Sequence, residues 1–426
     1  MKILALSNLY PPDVLGGYEI GCKQAVDGLR ARGHEVRVLT TTPRSPIATA
    51  AEPGVARRLQ LNDLWYNATR PRSHPAVDKV WDVDANWFSA HNTHALIREV
   101  DDFRPDVVYV WMILGVGGLG LMGCLQYLKV PWVWHLMDEV PVQLCGTNWR
   151  VLPPLARAFD RFISGRYIAC SRAMVARIEA KGIRLAGEVE ILPNWVVGDR
   201  PPRRDDPYRP GARPLRIVSA GRITRQKGVG LLVEAARLLR AEGVDDFTID
   251  VYGPVIDPEI PDHARSLGLG GHLRFLGVLP QDRLADEFSR ADLFAFPTEE
   301  REPFGFAPLE AASRGCVPLI AQVCGIGEWL VHGVHCLKAP RSARAFAATI
   351  AAVARGEVDL GPIGRRASSV VHRDFHRDAV LPRIERVLAR ASRSPRDGGG
   401  TPDEAYRMAL VAERLAHAIV QEPFYA

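Results

Sequence analysis

Short apolar runs rich in β-branched residues alternate with amphipathic stretches of helical spacing, and this alternation stops once and begins again. The first series has strands at 3–6 and 36–40, a helix at 19–32, and further strands near Val107, Val133 and Tyr167. Strands separated by helical crossovers build parallel sheets covered by helices. Residues 198–214, GDRPPRRDDPYRPGARP, then place five prolines and five arginines in seventeen positions. Such a segment cannot supply a core and favours an extended connector. The second series follows with strand 215–220, helix 228–242, strands 248–252 and 273–276, helix 281–290, strand 293–296 and helix 306–314. The pattern predicts two similar α/β domains facing each other across a cleft, residues 1–197 and 215–391, joined by a linker at 198–214. Residues 392–426 read as a flexible spacer, SRSPRDGGGT, and a C-terminal helix at 402–421. Its stripe of Met408, Val411, Leu415 and Ile419 is expected to pack on a domain or on another copy.

With 426 residues, 47% hydrophobic and 24% charged, the chain has enough apolar content for two such cores, which excludes disordered and fibrous classes. A formal charge of +5 without clustering does not fit a nucleic-acid footprint, so nucleic acid is not an expected partner. The seven cysteines are odd in number, scattered and never spaced C-x-x-C. Neither a zinc site nor a disulfide framework is indicated, and a cytoplasmic location is expected. The opening MKILALSNLYPPD has an apolar run too short for a signal peptide and reads as a buried strand. Residues 107–125 carry no charge over nineteen positions, the bare length of a membrane span. Five glycines between Gly115 and Gly123 argue instead for strand, glycine turn and short buried helix, because each costs a helix about 1 kcal/mol relative to Ala.

The richest segment for chemistry is TEEREPFGFAPLEAASRGCVPLIA, in which Glu302 and Glu310 lie eight residues apart on either side of a strand-to-helix turn, Phe304-Gly305-Phe306. Such a turn at the carboxyl end of a parallel strand aims backbone N–H groups and a positive helix end at a ligand, and carboxylates beside it suit hydroxyl groups. At the corresponding point of the first strand of the second half, GRITRQKG places Arg222 and Lys227 five residues apart before a helix. A guanidinium able to bond two oxygens and an ammonium point charge suit a diphosphate, while Arg225 reads as surface charge. In the first half, PPDVLGG brings Gly16 and Gly17 between the first strand and the first helix, where paired glycines allow close backbone approach to a ligand.

These residues give the chain a resemblance to the GT-B glycosyltransferases of family 4, the retaining group that uses nucleotide-activated sugars. It runs through LSNLYPPDVLGGYE, RGHEVRVLT, PNW, GRITRQKG, EPFGFAPLEAASRGCVP and GIGEWL. The resemblance implies two Rossmann-like domains and transfer of a sugar from a nucleoside-diphosphate sugar to a sugar, lipid-linked or small-molecule hydroxyl. No metal or other resident cofactor is implied. It further implies that Glu302 touches donor-sugar hydroxyls, that Glu310 holds the nucleotide ribose, and that Arg222 and Lys227 neutralise the diphosphate. Gly16 and Gly17 would border phosphates and acceptor, Phe304, Gly305 and Phe306 would form the donor-binding turn, and His135 of VWHLMDE would line the sugar site. Two departures stand out: Cys324 occupies the first glycine of a loop that commonly reads G-G-x-x-E, and Trp195 follows Asn194 where glycine is usual.

Competing patterns exist. Gly115-Val116-Gly117-Gly118-Leu119-Gly120 fits G-x-G-x-x-G after a strand, with Asp138 beyond it, the pattern of a nicotinamide-dependent oxidoreductase. Asp82-Val83-Asp84 matches the D-x-D of metal-dependent transferases of another fold. A sugar-nucleotide epimerase or a non-catalytic sugar-binding protein would use the same two-domain frame. Residues 150–172 interleave five arginines with leucine and phenylalanine, as in a basic amphipathic helix that makes peripheral contact with anionic lipid. Trp65, Tyr66, Trp81, Trp87 and Phe88 suit sugar stacking or ordinary packing.

Overall fold

The structure, a computed structural model, describes residues 1–43, 52–62, 83–145, 163–198, 208–299, 302–395 and 399–421. The chain forms two compact units, the first comprising Met1–Ala169, Ala173–Leu192 and Leu381–Ala426, the second Cys170–Arg172 and Pro193–Val380. In the first, β1 (Lys2–Leu6), α1 (Gly17–Ala31), β2 (Glu35–Thr41), β3 (Val55–Leu59), α2 (Ala90–Phe103), β4 (Val107–Val110), α3 (Gly118–Tyr127), β5 (Trp132–Leu136), α4 (Val140–Cys145), β6 (Ser164–Ala169), α5 (Arg172–Ala180) and β7 (Ala186–Ile191) follow one another. The strands form a parallel sheet in the order β3-β2-β1-β4-β5-β6-β7. Every residue of β4 and β5 is buried, as a sheet with both faces covered requires. The apolar stretch at 107–125 divides as its glycines dictate, into β4, a turn and α3. No helix among the described residues is long and apolar enough to cross a membrane.

The second unit repeats the scheme with β8 (Leu215–Ala220), α6 (Val229–Ala241), β9 (Phe247–Tyr252), α7 (Glu259–Ser266), β10 (Leu273–Gly277), α8 (Gln281–Arg290), β11 (Leu293–Phe296), α9 (Phe306–Ser313), β12 (Val317–Ala321), β13 (Leu337–Ala339), α10 (Ala343–Ala354) and α11 (Leu360–Asp374). Its parallel sheet has the order β10-β9-β8-β11-β12-β13. Leu232, Val233, Ala236 and Leu239 of α6 bury one helix face in a core with Ile217, Ile249 and Leu293. Each leucine, isoleucine or valine side chain among them contributes about 1.5–3 kcal/mol on full burial. In both sheets the first strand of the series lies beside the fourth, so strand order reverses between β1 and β4 and between β8 and β11. Ligand crevices form beyond the carboxyl ends of strands at such a reversal.

The final helices, α12 (Arg377–Ser392) and α13 (Pro402–Gln421), carry the chain into the first unit. Residues 381–391, expected with the second domain, belong with the first because α12 is tied there by ion pairs. Glu385 bonds His34 at 2.8 Å and Arg32 at 2.7 Å, and Arg390 pairs with Glu188 at 2.9 Å. Conversely, residues 193–197 belong with the second unit, where the Val196 N–H donates to the Phe375 carbonyl. Of the expected linker only 198 and 208–214 lie among the described residues, and of the spacer only 392–395 and 399–401.

Helix α13 has the expected bounds but packs differently. Among its described side chains the buried ones are Ala405 and Ala409, while Met408, Val411 and Leu415 are more than half exposed and the Ile419 side chain lies outside the described residues. The small alanine side is the one that fits against α2: the Tyr406 ring lies 4.9 Å from His94, and Glu413 accepts the Ala90 N–H. The amphipathic helix expected over 150–172 is likewise corrected. Residues 150–162 lie outside the described residues, whereas 164–169 form β6, with Tyr167, Ile168 and Ala169 buried and Arg166 paired to Glu188.

Candidate functional site

Two loops leave the carboxyl ends of β8 and β11, the strands flanking the order reversal of the second unit. The first, 221–228, ends in Gly228 at φ +74°, the N-cap of α6; the second, 297–305, ends in Gly305, the N-cap of α9. The loops are zipped together by the Glu299 N–H donating to the Gln226 carbonyl at 3.0 Å. Contact is closest at Gly228, where a Cβ would lie 2.0 Å from the Pro297 carbonyl oxygen, so only glycine fits. The consequence is an ion pair across the loops: the Lys227 ammonium donates to Glu302 Oε2, and it also stands 6.0 Å from the Phe296 ring centroid. The Thr224 hydroxyl accepts the Lys227 N–H and fixes the backbone under that side chain.

The turn at 302–306 is held from behind by a 3-10 segment, Gly325–Glu328, whose Gly325 and Ile326 N–H groups donate to the Glu302 and Phe304 carbonyls. The Ser171 hydroxyl donates to the Pro303 carbonyl at 2.7 Å. Phe304 is buried and serves the turn as packing, whereas Phe306 is half-buried and no side chain caps the N-terminus of α9. Glu310, on the second turn of α9, accepts from Gln281 Nε2 at 3.1 Å, and burial raises its carboxyl above the ordinary carboxylate range. Arg222 is exposed at the end of β8 and makes no hydrogen bond or ion pair among the described residues. Arg225 pairs with Glu259 at 2.9 Å at the surface. Cys324, at the departure from the glycine pair, is buried with its thiol on the Ala321 carbonyl, and burial pushes its pKa up to about 12. Trp195, the other departure, is buried.

In the first unit the equivalent reversal is spanned by Asn8, whose N–H donates to the Met112 carbonyl and whose side-chain amide donates to Leu114. The loop from β1 ends at Gly16, which is exposed in extended backbone with nothing near its missing Cβ, and at Gly17, the first residue of α1. Glu19, in the third helical position, accepts the Gly16 and Leu15 N–H groups at 2.9 and 3.2 Å and closes the helix end. Tyr18 accepts the Met137 N–H, joining this loop to the end of β5.

His135, which the resemblance sets at the sugar site, lies within β5. Its ring has no accessible surface, its Nδ1 lies 2.6 Å from the Tyr109 hydroxyl, and it stacks 4.5 Å from Trp111. Burial lowers its pKa to about 3, so it is neutral near pH 7. His135 is thus packed in the core of the first sheet.

The competing patterns also resolve locally. Around G-x-G-x-x-G the space a cofactor would need is filled: a Cβ at Gly117 would fall 2.5 Å from the Ser89 nitrogen, at Gly118 2.6 Å from the Ile113 carbonyl, and at Gly120 2.9 Å from Phe88. Gly117 and Gly120 admit the chain at 87–89 and Gly118 admits the Ile113 carbonyl, which leaves no room there for a pyrophosphate. Asp82 and the side chain of Asp84 lie outside the described residues, as do Trp65, Tyr66 and Trp81. Among the described residues no group of three His, Cys, Asp or Glu side chains is placed to hold a metal ion.

Several structural supports were not legible in the sequence. Arg341, Gln281 and Ser171 act through tertiary neighbours far from them in the chain, whereas Glu19 carries a local signal as the acidic third residue of a glycine-capped helix.

Comparison with known proteins gives matches along most of the chain. The family model "Glycosyltransferase Family 4" matches residues 15–200, and "Glycosyl transferases group 1" matches 205–366. The chain is 27% identical to the glycogen synthase of Mycobacterium tuberculosis over 93% of this chain and 96% of that protein. Among solved structures, sucrose-phosphate synthase from Thermosynechococcus elongatus superposes with a TM-score of 0.67 at 17% identity, covering 91% of this chain and 98% of that one. Anabaena HepE in complex with UDP gives 0.65 at 20% identity, covering 92% and 100%.

Proposed function

Because the chain belongs to the GT-B glycosyltransferases of family 4, we propose that it transfers a sugar from a nucleoside-diphosphate sugar to a hydroxyl acceptor with retention at the anomeric carbon and without a metal ion. The observation that carries this reading is the Lys227–Glu302 pair at the carboxyl ends of β8 and β11, beside exposed Arg222 and the uncapped N-terminus of α9. The reaction must expel a diphosphate from an oxocarbenium-like centre, so stabilising negative charge on the leaving group is its main demand. Lys227 supplies a point charge and Arg222 a two-pronged donor for that diphosphate. Preorganised donors of this kind contribute roughly 2.7–4 kcal/mol each to transition-state stabilisation. Glu302 accepts from donor-sugar hydroxyls and Glu310 from the ribose, while Gly16 and Gly17 border the phosphates and the acceptor.

Retention follows from attack on the face the leaving group vacates, with the departing phosphate taking the acceptor proton, and needs no protein nucleophile. The names of two relatives, glycogen synthase and the amylovoran biosynthesis glycosyltransferase of Erwinia amylovora, favour a role in polysaccharide or glycoconjugate synthesis. The HepE complexes with UDP and UDP-glucose favour a uridine donor as the first to test.

The test is calorimetric titration of UDP, GDP, ADP, dTDP and NADH into wild type, Lys227→Ala and Glu310→Ala. One nucleoside diphosphate should bind wild type and lose affinity in both variants. Binding of NADH alone, or of none, would overturn the reading, and turnover of the donor sugar without any acceptor would favour an epimerase.

A further inference from the structure

Arg341 lies in the connection between β13 and α10, one residue before the α10 N-cap Ser342 and remote in sequence from both donor loops. Its Nε donates to the Thr298 carbonyl at 3.1 Å, and its Nη2 donates to the Arg225 carbonyl at 3.3 Å. One guanidinium thus bridges the loop that presents Lys227 and the loop that presents Glu302. The bonds fall two residues before Lys227 and four before Glu302, each one residue before the Glu299–Gln226 backbone bond. Besides the Lys227–Glu302 pair itself, three hydrogen bonds and the glycine contact at Gly228 tie the two loops among the described residues, and two of the three come from Arg341.

We propose that Arg341 is a positioning residue for the donor site, one that holds the Lys227 and Glu302 loops at the spacing a diphosphate sugar requires without itself touching the donor. The inference rests on the reading that these loops bind the donor. The planar fork is what suits the position: it spans two carbonyls in fixed directions, whereas a lysine offers one ammonium that reaches either but not both. Arg341 and Arg225 are exposed and Thr298 is buried, so removing the guanidinium frees one carbonyl to water and leaves the other short of a donor, a local cost to folding beside which the loops lose their register. Misplacing reacting groups by a fraction of an ångström weakens a site without changing its composition.

The experiment measures UDP, ADP and GDP affinity by calorimetry, melting temperature, and donor KM and kcat for wild type, Arg341→Ala and Arg341→Lys. Arg341→Ala should bind the nucleotide that wild type prefers about tenfold more weakly, a loss equivalent to about 1.4 kcal/mol. Donor KM should rise, kcat should change less than KM, the melting temperature should fall by no more than a few degrees, and Arg341→Lys should recover part of the affinity. Unchanged affinity in Arg341→Ala, with wild type binding normally, refutes the positioning role and leaves the donor site intact. A loss of affinity that tracks a loss of melting temperature, with no recovery in Arg341→Lys, also refutes it in favour of a structural role. Absence of nucleotide binding by wild type overturns instead the reading on which the inference rests.

Discussion

Replacing Gly228 by alanine tests the packing that brings Lys227 to Glu302. The added methyl would stand 2.0 Å from the Pro297 carbonyl oxygen, which must retreat by about 1.4 Å to reach ordinary contact at 3.4 Å. Gly228 also has φ +74°, and a non-glycine residue in the left-handed region costs roughly 1–2 kcal/mol. Relief of the overlap adds about 1–3 kcal/mol. Gly243 is a built-in control, with φ +70° and nothing within 4 Å of its missing Cβ. Gly243→Ala should therefore show only the backbone cost, whereas Gly228→Ala should lose about 2–5 kcal/mol in all. In a unit of this size each kcal/mol lowers the melting temperature by about 2–4 °C. The functional effect should separate the two more sharply: moving one donor loop by about an ångström should lower kcat/KM roughly 100-fold in Gly228→Ala and leave Gly243→Ala near wild type. The assays are thermal denaturation, UDP titration and initial rates on all three proteins. If Gly228→Ala matches Gly243→Ala in stability and in nucleotide affinity, the two loops are not in the contact that the argument requires.

Glu310 has its carboxyl raised by burial, so nucleotide affinity should fall as pH is lowered toward that raised value, and the part of the pH dependence due to Glu310 should vanish in Glu310→Gln when both are titrated with UDP. The same shift makes the folded state bind more protons than the unfolded one above pH 4.5; stability is thus lost as pH rises through that window, and Glu310→Gln should flatten the loss in melting curves. His135 has the opposite linkage: its folded pKa of about 3 lies below the unfolded 6.5, so the unfolded state binds the extra proton and stability falls as pH drops from 6.5 toward 3. Replacement by Asn should reduce that acid sensitivity in melting temperatures measured across the same range. Transfer should persist after exhaustive treatment with a chelator, measured as sugar incorporation with and without EDTA; loss of activity restored by a divalent cation would refute the metal-free mechanism.

Much of the fold could be read along the chain because period and punctuation are local. Strand β8 at 215–220, helix α8 at 281–290, strand β11 at 293–296 and helix α13 at 402–421 begin and end where apolar periodicity and turn residues place them. Lys227 and Glu302 were visible as candidates for the same reason, since a loop between a parallel strand and its helix has a known direction. Their pairing was not visible, because 75 residues separate them and only the adjacency of β8 and β11 brings their loops together. The unit boundary also escaped the composition, since 381–391 look like any other amphipathic helix and are assigned by Glu385 and Arg390 finding partners at 32–34 and 188–190.

Two parallel α/β sheets, and the loops that bear cations and carboxylates, can be read from residue order, because those features depend on residues within a dozen positions of one another. Which of them act together depends on the tertiary structure. It placed Lys227 on Glu302 and Arg341 across both of their loops, packed His135 into a core beside Tyr109, and set the chain at 87–89 against Gly117 and Gly120. Burial and close approach are sums over neighbours remote in the chain, and periodicity along the chain carries no record of them.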